Sequence, residues 1–312
     1  MRIMVTGATG FVGAILVKSL KTKGMTVHAV NRRICKTEAD VDFFVGDFGS
    51  DTNFLEALIG CDVVIHLAAR VHIMKESSEN PAAEFTKTNV LGTECLAKQA
   101  LQAGVTRFIY ISSIKVNGET TEYGQPFTEL NKPLPTDSYG ISKYNAEKSL
   151  FSMTKQTKMD LVIIRPPLVF GPNVKANFGS MLRAIKFGFP LPLGAIHNKR
   201  SFVYVENLIS LILCCIEHPA AANQIFLVSD GNDLSTTELI VACAKVFNQK
   251  ARLLPIPKSW IKVSAAILNR KNTAQRLCDN LQVDISKAEI LLGWTPPISI
   301  EDGLKATIRS FL

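Results

Sequence analysis

MRIMVTGATGFVGAILVKSL, residues 1–20, decides the fold. A short β-rich run, RIMVTG, passes directly into Gly7-Ala8-Thr9-Gly10-Phe11-Val12-Gly13 and then into FVGAILVKSL, whose apolar residues recur at helical spacing. In a strand-turn-helix, the first glycine permits the tight turn. The second lets backbone N–H groups approach a pyrophosphate, and the third allows close helix packing. A glycine triplet alone is a weak signal; its place between the first strand and the first helix makes it informative. Gly7, Gly10, Phe11, Val12 and Gly13 are therefore read as dinucleotide contacts.

About 20 residues further on, such a unit carries the residue that reports the cofactor ribose. A carboxylate there accepts hydrogen bonds from a 2′-hydroxyl, whereas arginine accommodates a 2′-phosphate. This chain has Asn31, Arg32 and Arg33. The expectation is a preference for NADP(H), with NAD(H) still able to bind through backbone donors. Asp47, after the third strand, is placed to meet adenine. Small Ala68 and Ala69 would let the end of the fourth strand approach the cofactor.

From residue 1 to about 165, β-rich runs alternate with helical patterns: RIMVTG, MTVHAV, DFFVGD, DVVIHLAA, RFIYIS and DLVIIRP are the strand candidates. That rhythm predicts an α/β fold, a doubly wound Rossmann parallel sheet covered on both faces. PAAEFTKTNVLGTECLAKQALQAG reads as helix stopping at Gly104. After Arg165, prolines at 166, 167, 172, 190 and 192 loosen the pattern. The expected organisation is a Rossmann domain over 1–172, with 201–230 returning to it. Residues 173–312 form mainly a smaller substrate-binding lobe.

Composition narrows the classes. The chain has 312 residues, 47% of them hydrophobic, enough to bury a sizeable core. The apolar run LISLILCCI at 208–216 is too short for a membrane span and reads as buried helix. No export signal is read at the N-terminus. Seven scattered cysteines without CxxC spacing suggest reduced thiols in cytoplasm, and five histidines without metal-site spacing suggest no protein-bound metal. The formal charge is +8, but the basic residues read as dispersed, with no stripe interleaved with aromatics. The reading is a solvated surface with a site for an anionic small molecule; no nucleic acid and no membrane insertion is expected.

Ser113 closes the strand-like IYISS, and Tyr139-Gly-Ile-Ser-Lys143 opens a helix. Residues i and i+4 share a helical face, so the phenol and ammonium are expected to project into the crevice at the strands' carboxyl ends. The ammonium is further expected to lower the phenol pKa by about 1 to 3 units, towards a value useful for proton transfer.

These pieces, with TGATGFVG, HLAAR, TNVLGT, YISS, YGISK, IRPPLVFGP and KRSFVYVENL, resemble the extended short-chain dehydrogenase/reductase family, in its nucleotide-sugar epimerase/dehydratase branch. The resemblance spans essentially the whole chain. It implies a nicotinamide cofactor in the Rossmann lobe, a UDP-sugar in the C-terminal lobe, and hydride transfer between them. It also implies Ser113, Tyr139 and Lys143 as the catalytic set, Tyr139 and Lys143 also touching cofactor and Ser113 also touching substrate. By matching position, Asn177 in KANF and Arg200 would meet the nucleotide diphosphate, and Arg276 is a looser match. A homodimer is compatible with it.

One departure is informative. The 4,6-dehydratases of this branch place an Asp-Glu pair after the catalytic hydroxyl residue, where this chain has Ile114 and Lys115. Elimination then lacks its proton carriers, so a dehydratase is excluded. Asn117, in place of the tyrosine of the following VYG, has no role that the sequence supplies. SSIKVNGE, KANF and LPLGAIHNKRSFVYVENL look most like the subgroup named after UDP-glucose 4-epimerase, which also includes 4-keto reductases that make UDP-N-acetylquinovosamine. A reductase exchanges its cofactor every turnover, and the arginine pair tilts the reading that way. The first expectation is thus 4-keto reduction of a UDP-4-keto-6-deoxy-N-acetylhexosamine for surface polysaccharide synthesis. The alternative is a UDP-glucose or UDP-N-acetylglucosamine 4-epimerase. A non-catalytic NADP-binding regulator is the reading from another class, disfavoured by the joint presence of Ser113, Tyr139 and Lys143.

Overall fold

The computed structural model describes residues 1–71, 80–174, 176–268 and 270–312. Its centre is a seven-stranded sheet: β1 (Arg2–Thr6), β2 (Thr26–Asn31), β3 (Val41–Phe44), β4 (Val63–His66), β5 (Arg107–Ile111), β6 (Asp160–Arg165) and β9 (Gln224–Leu227). The spatial order is β3-β2-β1-β4-β5-β6-β9, and every pairing is parallel. A separate parallel pair joins β7 (Leu168–Phe170) to β8 (Phe202–Tyr204). The chain thus leaves the main sheet after Arg165 and returns with β9 alone; β8, inside the stretch expected to return, stays in the smaller sheet.

The inner strands are buried on both faces, as in Val63–His66, because helices cover both sides. Beneath one face, α1 (Phe11–Thr22) and α7 (Val205–Glu217) supply Leu16, Leu20, Leu208 and Ile212. Over the other, α2 (Leu55–Leu58), α4 (Gly92–Gln102) and α5 (Ser138–Thr154) supply Leu58, Leu96 and Leu150. The remaining helices are α3 (Pro81–Phe85), α6 (Ala176–Lys186), α8 (Thr236–Val246), α9 (Lys258–Ile267), α10 (Lys271–Cys278), α11 (Ser286–Leu292) and α12 (Ile300–Arg309). No helix among the described residues is long and apolar enough to cross a membrane.

The single helix expected over 81–104 is built from three pieces: α3, a π-helical turn at Thr86–Leu91, and α4. Gly104 ends it at φ +79°. The wider turn coincides with a clamp. Asn89 accepts from Arg70 N (2.7 Å), and its Nδ2 donates to Arg70 O (3.0 Å) and to Ser142 Oγ (2.9 Å). One side chain thereby ties the loop after β4 to α5. This gives the TNVLGT motif a mechanical reason, and π turns often lie beside functional sites.

Strand order reverses between β1 and β4, the place where such sheets leave a crevice at their carboxyl ends. The glycine turn after β1 and Ala68 after β4 meet there.

Candidate active site

Gly7 sits at φ +69°, and a Cβ on it would lie 2.9 Å from Ala68 N. On Gly13 a Cβ would fall 2.1 Å from Gly7 O. Both positions exclude a side chain, which leaves the backbone before α1 open to a pyrophosphate. Two buried polar atoms nearby, Asn31 Oδ1 at the end of β2 and Ser112 Oγ after β5, have no partner among the described residues. The glycine cradle and the unpaired acceptor on Asn31 fit a dinucleotide. Asn31 Nδ2 lies 3.4 Å from Asp42 Oδ1, so the oxygen faces away from that carboxylate. Arg32, Arg33 and Asp47 are exposed, and Ala68 and Ala69 are partly so. Phe11 and Val12 are half-buried against the core.

At the other side of the crevice, Asp137 caps α5 by accepting from Gly140 N at 2.7 Å. That cap sets the first turn, on which Tyr139 stands. Tyr139 is half-buried, packs edge-on against Phe85 (6.1 Å) and hydrogen-bonds with Ser113. Ser113 itself holds the start of the Ile114–Val116 turn by accepting from Lys115 N. The structure therefore brings Ser113 and Tyr139 together.

The expected effect of Lys143 on Tyr139 is corrected. Burial and the Asp137 charge raise the phenol well above its ordinary 10, against only the Ser113 hydrogen bond. Lys143 does not offset them, and its ammonium is engaged at β5. Nζ donates to Ile111 O (2.8 Å) and lies 4.5 Å from the Tyr110 ring centroid. Lys143 is itself buried, and burial lowers its pKa to about 7, opposed by the charge of Glu147. In the protein alone, Tyr139 is a neutral phenol and Lys143 is poised between its two forms at neutral pH.

Sequence reasoning missed the support beneath Lys143. Glu147, one turn along α5, receives Arg165 Nε at 2.9 Å and Nη2 at 2.5 Å. Arg165 Nη1 donates to Asn117 Oδ1 (2.9 Å), and Asn117 Nδ2 donates to Thr128 O (2.9 Å). All three side chains are buried. Asn117 therefore has a physical role, accepting from the guanidinium nitrogen that Glu147 leaves free. The signal available was a charged residue at Glu147, on the same helical face as Lys143.

His66 lies below. Thr93 Oγ1 donates to Asn89 O (2.8 Å), so it accepts from His66 Nε2–H at 2.8 Å. His66 Nδ1 is left to accept from Thr6 Oγ1 (2.6 Å), which in turn accepts from Ala68 N (3.1 Å). Burial and the Lys143 charge lower this imidazole to about 3. It is a neutral strut between β1, β4 and α4.

On the substrate side, Arg200 and Arg276 come within electrostatic reach of each other. Burial lowers Arg200 to about 10; Arg276 adds to this, while Asp279 and Glu119 oppose it. Arg200 Nη1 donates to Asp279 O at 2.9 Å. Burial alone would raise Asp137, but Lys115, Gly140 N–H and Arg276 outweigh it and lower its pKa. Arg276, the looser match, thus belongs electrostatically to the mouth of the crevice. Asn177 is exposed in the first turn of α6, and Arg200's hydrogen bond runs to Asp279 instead. Lys115 is ion-paired to Glu119 (2.8 Å) and to Asp137. A surface groove of about 1710 Å³ begins at Gly10 and Phe11 and runs between α1 and α7. None of Ser113, Tyr139 and Lys143 lines it, so it is not the reaction crevice. Among the described residues no cluster of His, Cys, Asp or Glu could hold a metal ion.

Comparison with known proteins places this geometry. A profile described as the NAD dependent epimerase/dehydratase family matches residues 3–229. A Vibrio cholerae protein named UDP-glucose 4-epimerase is 45% identical over 317 residues, covering 99% of this chain and 95% of its own. Two solved structures superpose over nearly the full length of both chains. UDP-glucose 4-epimerase from Thermotoga maritima with UDP-glucose has a TM-score of 0.79 at 24% identity, covering 100% of this chain and 98% of its own. UDP-glucuronic acid 4-epimerase from Bacillus cereus with NAD has 0.79 at 23%, covering 99% and 98%.

Proposed function

From the premise that this chain belongs to the NAD dependent epimerase/dehydratase family, an enzyme family of extended short-chain dehydrogenase/reductase type, we propose that it is a UDP-sugar 4-epimerase. The order of the two enzymatic readings expected from sequence is thereby reversed. The observation that carries the choice is the 45% identity, over nearly the whole chain, to a relative named for 4-epimerisation. The site is compatible with it. Lys115, ion-paired to Asp137 and Glu119, stands where elimination would need an acid and a base, so proton traffic centres on the hydroxyl that meets Tyr139.

In this reading the phenolate of Tyr139, the form that the positive charge of an oxidised nicotinamide would favour, takes the proton of the sugar C4 hydroxyl and returns it, and Ser113 orients that oxygen. A bound nicotinamide supplies a hydride acceptor and donor, and in its oxidised form a positive charge. The residues that would hold the dinucleotide are Gly7, Gly10 and Gly13 at the pyrophosphate and Asn31 at the adenine ribose. Lys143, whose Nζ donates to the Ile111 carbonyl at the end of β5, would in this reading also donate to a ribose hydroxyl. Arg200 and Arg276 supply the charge for the UDP diphosphate, and Asn177 at the start of α6 supplies an amide.

The cofactor in this reading is NAD(H). Asn31 Oδ1 is a buried acceptor, suited to a 2′-hydroxyl donor and unsuited to a phosphate, which can only accept. Arg32 and Arg33 are exposed, as solvated cations of the loop after β2 would be. An epimerase also regains its cofactor unchanged after each turnover, which removes the metabolic reason for drawing on NADPH.

The test uses UDP-glucose, UDP-N-acetylglucosamine and a UDP-4-keto-6-deoxy-N-acetylhexosamine, with products followed by NMR and dinucleotide by absorbance. Formation of the C4 epimer without net dinucleotide consumption is expected. Stoichiometric NADPH oxidation with the keto sugar, and no epimer from the others, would overturn the reading in favour of the reductase.

A further inference from the structure

The chain's positive charge is not dispersed, as the sequence reading had it. Residues 239–278 carry eight Lys and Arg and not one Asp or Glu, and the remaining 27 basic residues balance all 27 acidic ones. The whole excess of +8 therefore sits in one stretch, which contains α9 and α10.

Within it, α9 is inverted relative to an ordinary surface helix. Its protein-facing side holds Ile261, packed on the core, and two lysines: Lys258 and Lys262 reach Asp279 Oδ1 at 3.2 and 2.7 Å. Its solvent side holds Trp260, Val263 and Ile267, spaced i, i+3 and i+7 on one face and 72%, 60% and 80% exposed. Leu268 continues that face, and no residue of α9 is fully buried. Singly exposed apolar residues need no explanation, but an outward stripe of this size with a tryptophan in it does. Arg270 and Lys271 follow directly, both exposed.

We propose that the outward face of α9 docks the enzyme on an anionic lipid surface. An interfacial helix buries its apolar face in the headgroup region while flanking cations pair with acidic lipids, and a tryptophan suits that boundary. Charge complementarity chooses this occupant: the flanks are wholly basic. A nucleic acid would leave the apolar stripe unpartnered. Spanning is not involved, since α9 is ten residues long. The surface is continuous with the substrate side, because the Asp279 that holds Lys258 and Lys262 also accepts from Arg200, and α10 carries Arg276. Docking would therefore set the mouth of the crevice close to the membrane plane. The inference does not depend on which reaction the site performs.

The experiment is sedimentation of the full-length protein with phosphatidylcholine vesicles, with and without about 30% phosphatidylglycerol. Tryptophan emission and light scattering without lipid are recorded in parallel. Expected is binding to the anionic vesicles only, a blue shift of Trp260 emission, and weakening by added salt. The variant Trp260→Ser/Val263→Ser/Ile267→Ser should lose binding at least ~10-fold, and Arg270→Gln/Lys271→Gln should lose it several-fold. Unchanged dinucleotide binding would show that both variants fold. Three results would overturn the proposal: no binding to anionic vesicles, equal binding by the triple variant, or a fall in oligomer size in the triple variant without lipid. The last would mean that a second copy covers the face.

Discussion

Helices α5 and α9 both break the rule of apolar inside and polar outside, in opposite directions. On α5 the inward face carries Lys143 and Glu147, each buried. On α9 the outward face carries Trp260, Val263 and Ile267. The remedies differ as the costs differ. A buried charge is tolerable only if it is paired, and α5 has its partners ready in Arg165, Asn117 and the Ile111 carbonyl. Exposed apolar surface needs a partner that covers it, and α9 has none within the described chain. One violation is thus satisfied from inside and points to chemistry; the other is left open and points to contact with something else.

The first way to sharpen the contrast is to remove the group that α5 exists to present. Tyr139→Phe keeps the ring and its edge-on contact with Phe85 and deletes the transferable proton. Turnover should fall by roughly 10² to 10⁴, with dinucleotide affinity nearly unchanged. Steady-state kinetics with a UDP-sugar and dinucleotide titration check this together. Near-normal turnover would remove Tyr139 as the proton carrier and revive the reading of a regulator that binds dinucleotide without catalysis.

Next comes the pairing itself. Glu147→Gln removes the carboxylate charge between Arg165 and Lys143 and leaves the guanidinium buried without its counter-ion. Breaking a buried pair on one side costs about 3–5 kcal/mol, and urea unfolding should show it. Glu147→Gln combined with Arg165→Met should recover part of that loss, since no uncompensated charge remains. If the single substitution cost under about 1 kcal/mol, the claim that α5 tolerates its charges through this network would fail.

The sheet was legible in the sequence because its signals are local. Gly7 to Gly13 form one turn, and, except between β2 and β3, β-rich runs alternate with helices as far as Arg165. Ser113 and Tyr139-Lys143 were legible for the same reason, one at a strand end and one within a single helical turn. What was not legible depends on where side chains of distant elements meet. Burial and the Asp137 charge raise Tyr139, and Lys143 is engaged with Ile111 O, 32 residues away. Asn117 gained a role only when β6 brought Arg165 beside it. The Arg200 and Arg276 assembly joins positions 76 residues apart, with no periodic pattern between them. The charge asymmetry of residues 239–278 was in plain view, yet a composition total hides it, and the inverted face of α9 requires knowing which side of the helix is buried.

The smallest effect separates the two helices by titration. Lys143 has its pKa lowered to about 7 from an ordinary 10.5, chiefly by burial. Between those values the unfolded chain binds the proton and the folded one does not, so stability contributed by this group rises with pH across the window. Below about 7 the folded protein carries the buried ammonium and the full penalty is present. Lys143→Met has no such penalty. The melting temperature of the variant relative to the parent should therefore be more favourable at pH 6 than at pH 9, by ~2 °C or more, with no dinucleotide present. The absolute difference also contains the lost bond to Ile111 O, but that loss changes little with pH, so the slope isolates the titration. The α9 variant Trp260→Ser/Val263→Ser/Ile267→Ser removes no ionisable group, and its melting difference should stay flat across the same range. If Lys143→Met were also flat, the ammonium would be solvated in the folded protein, and α5 would no longer be the helix that hides its charge.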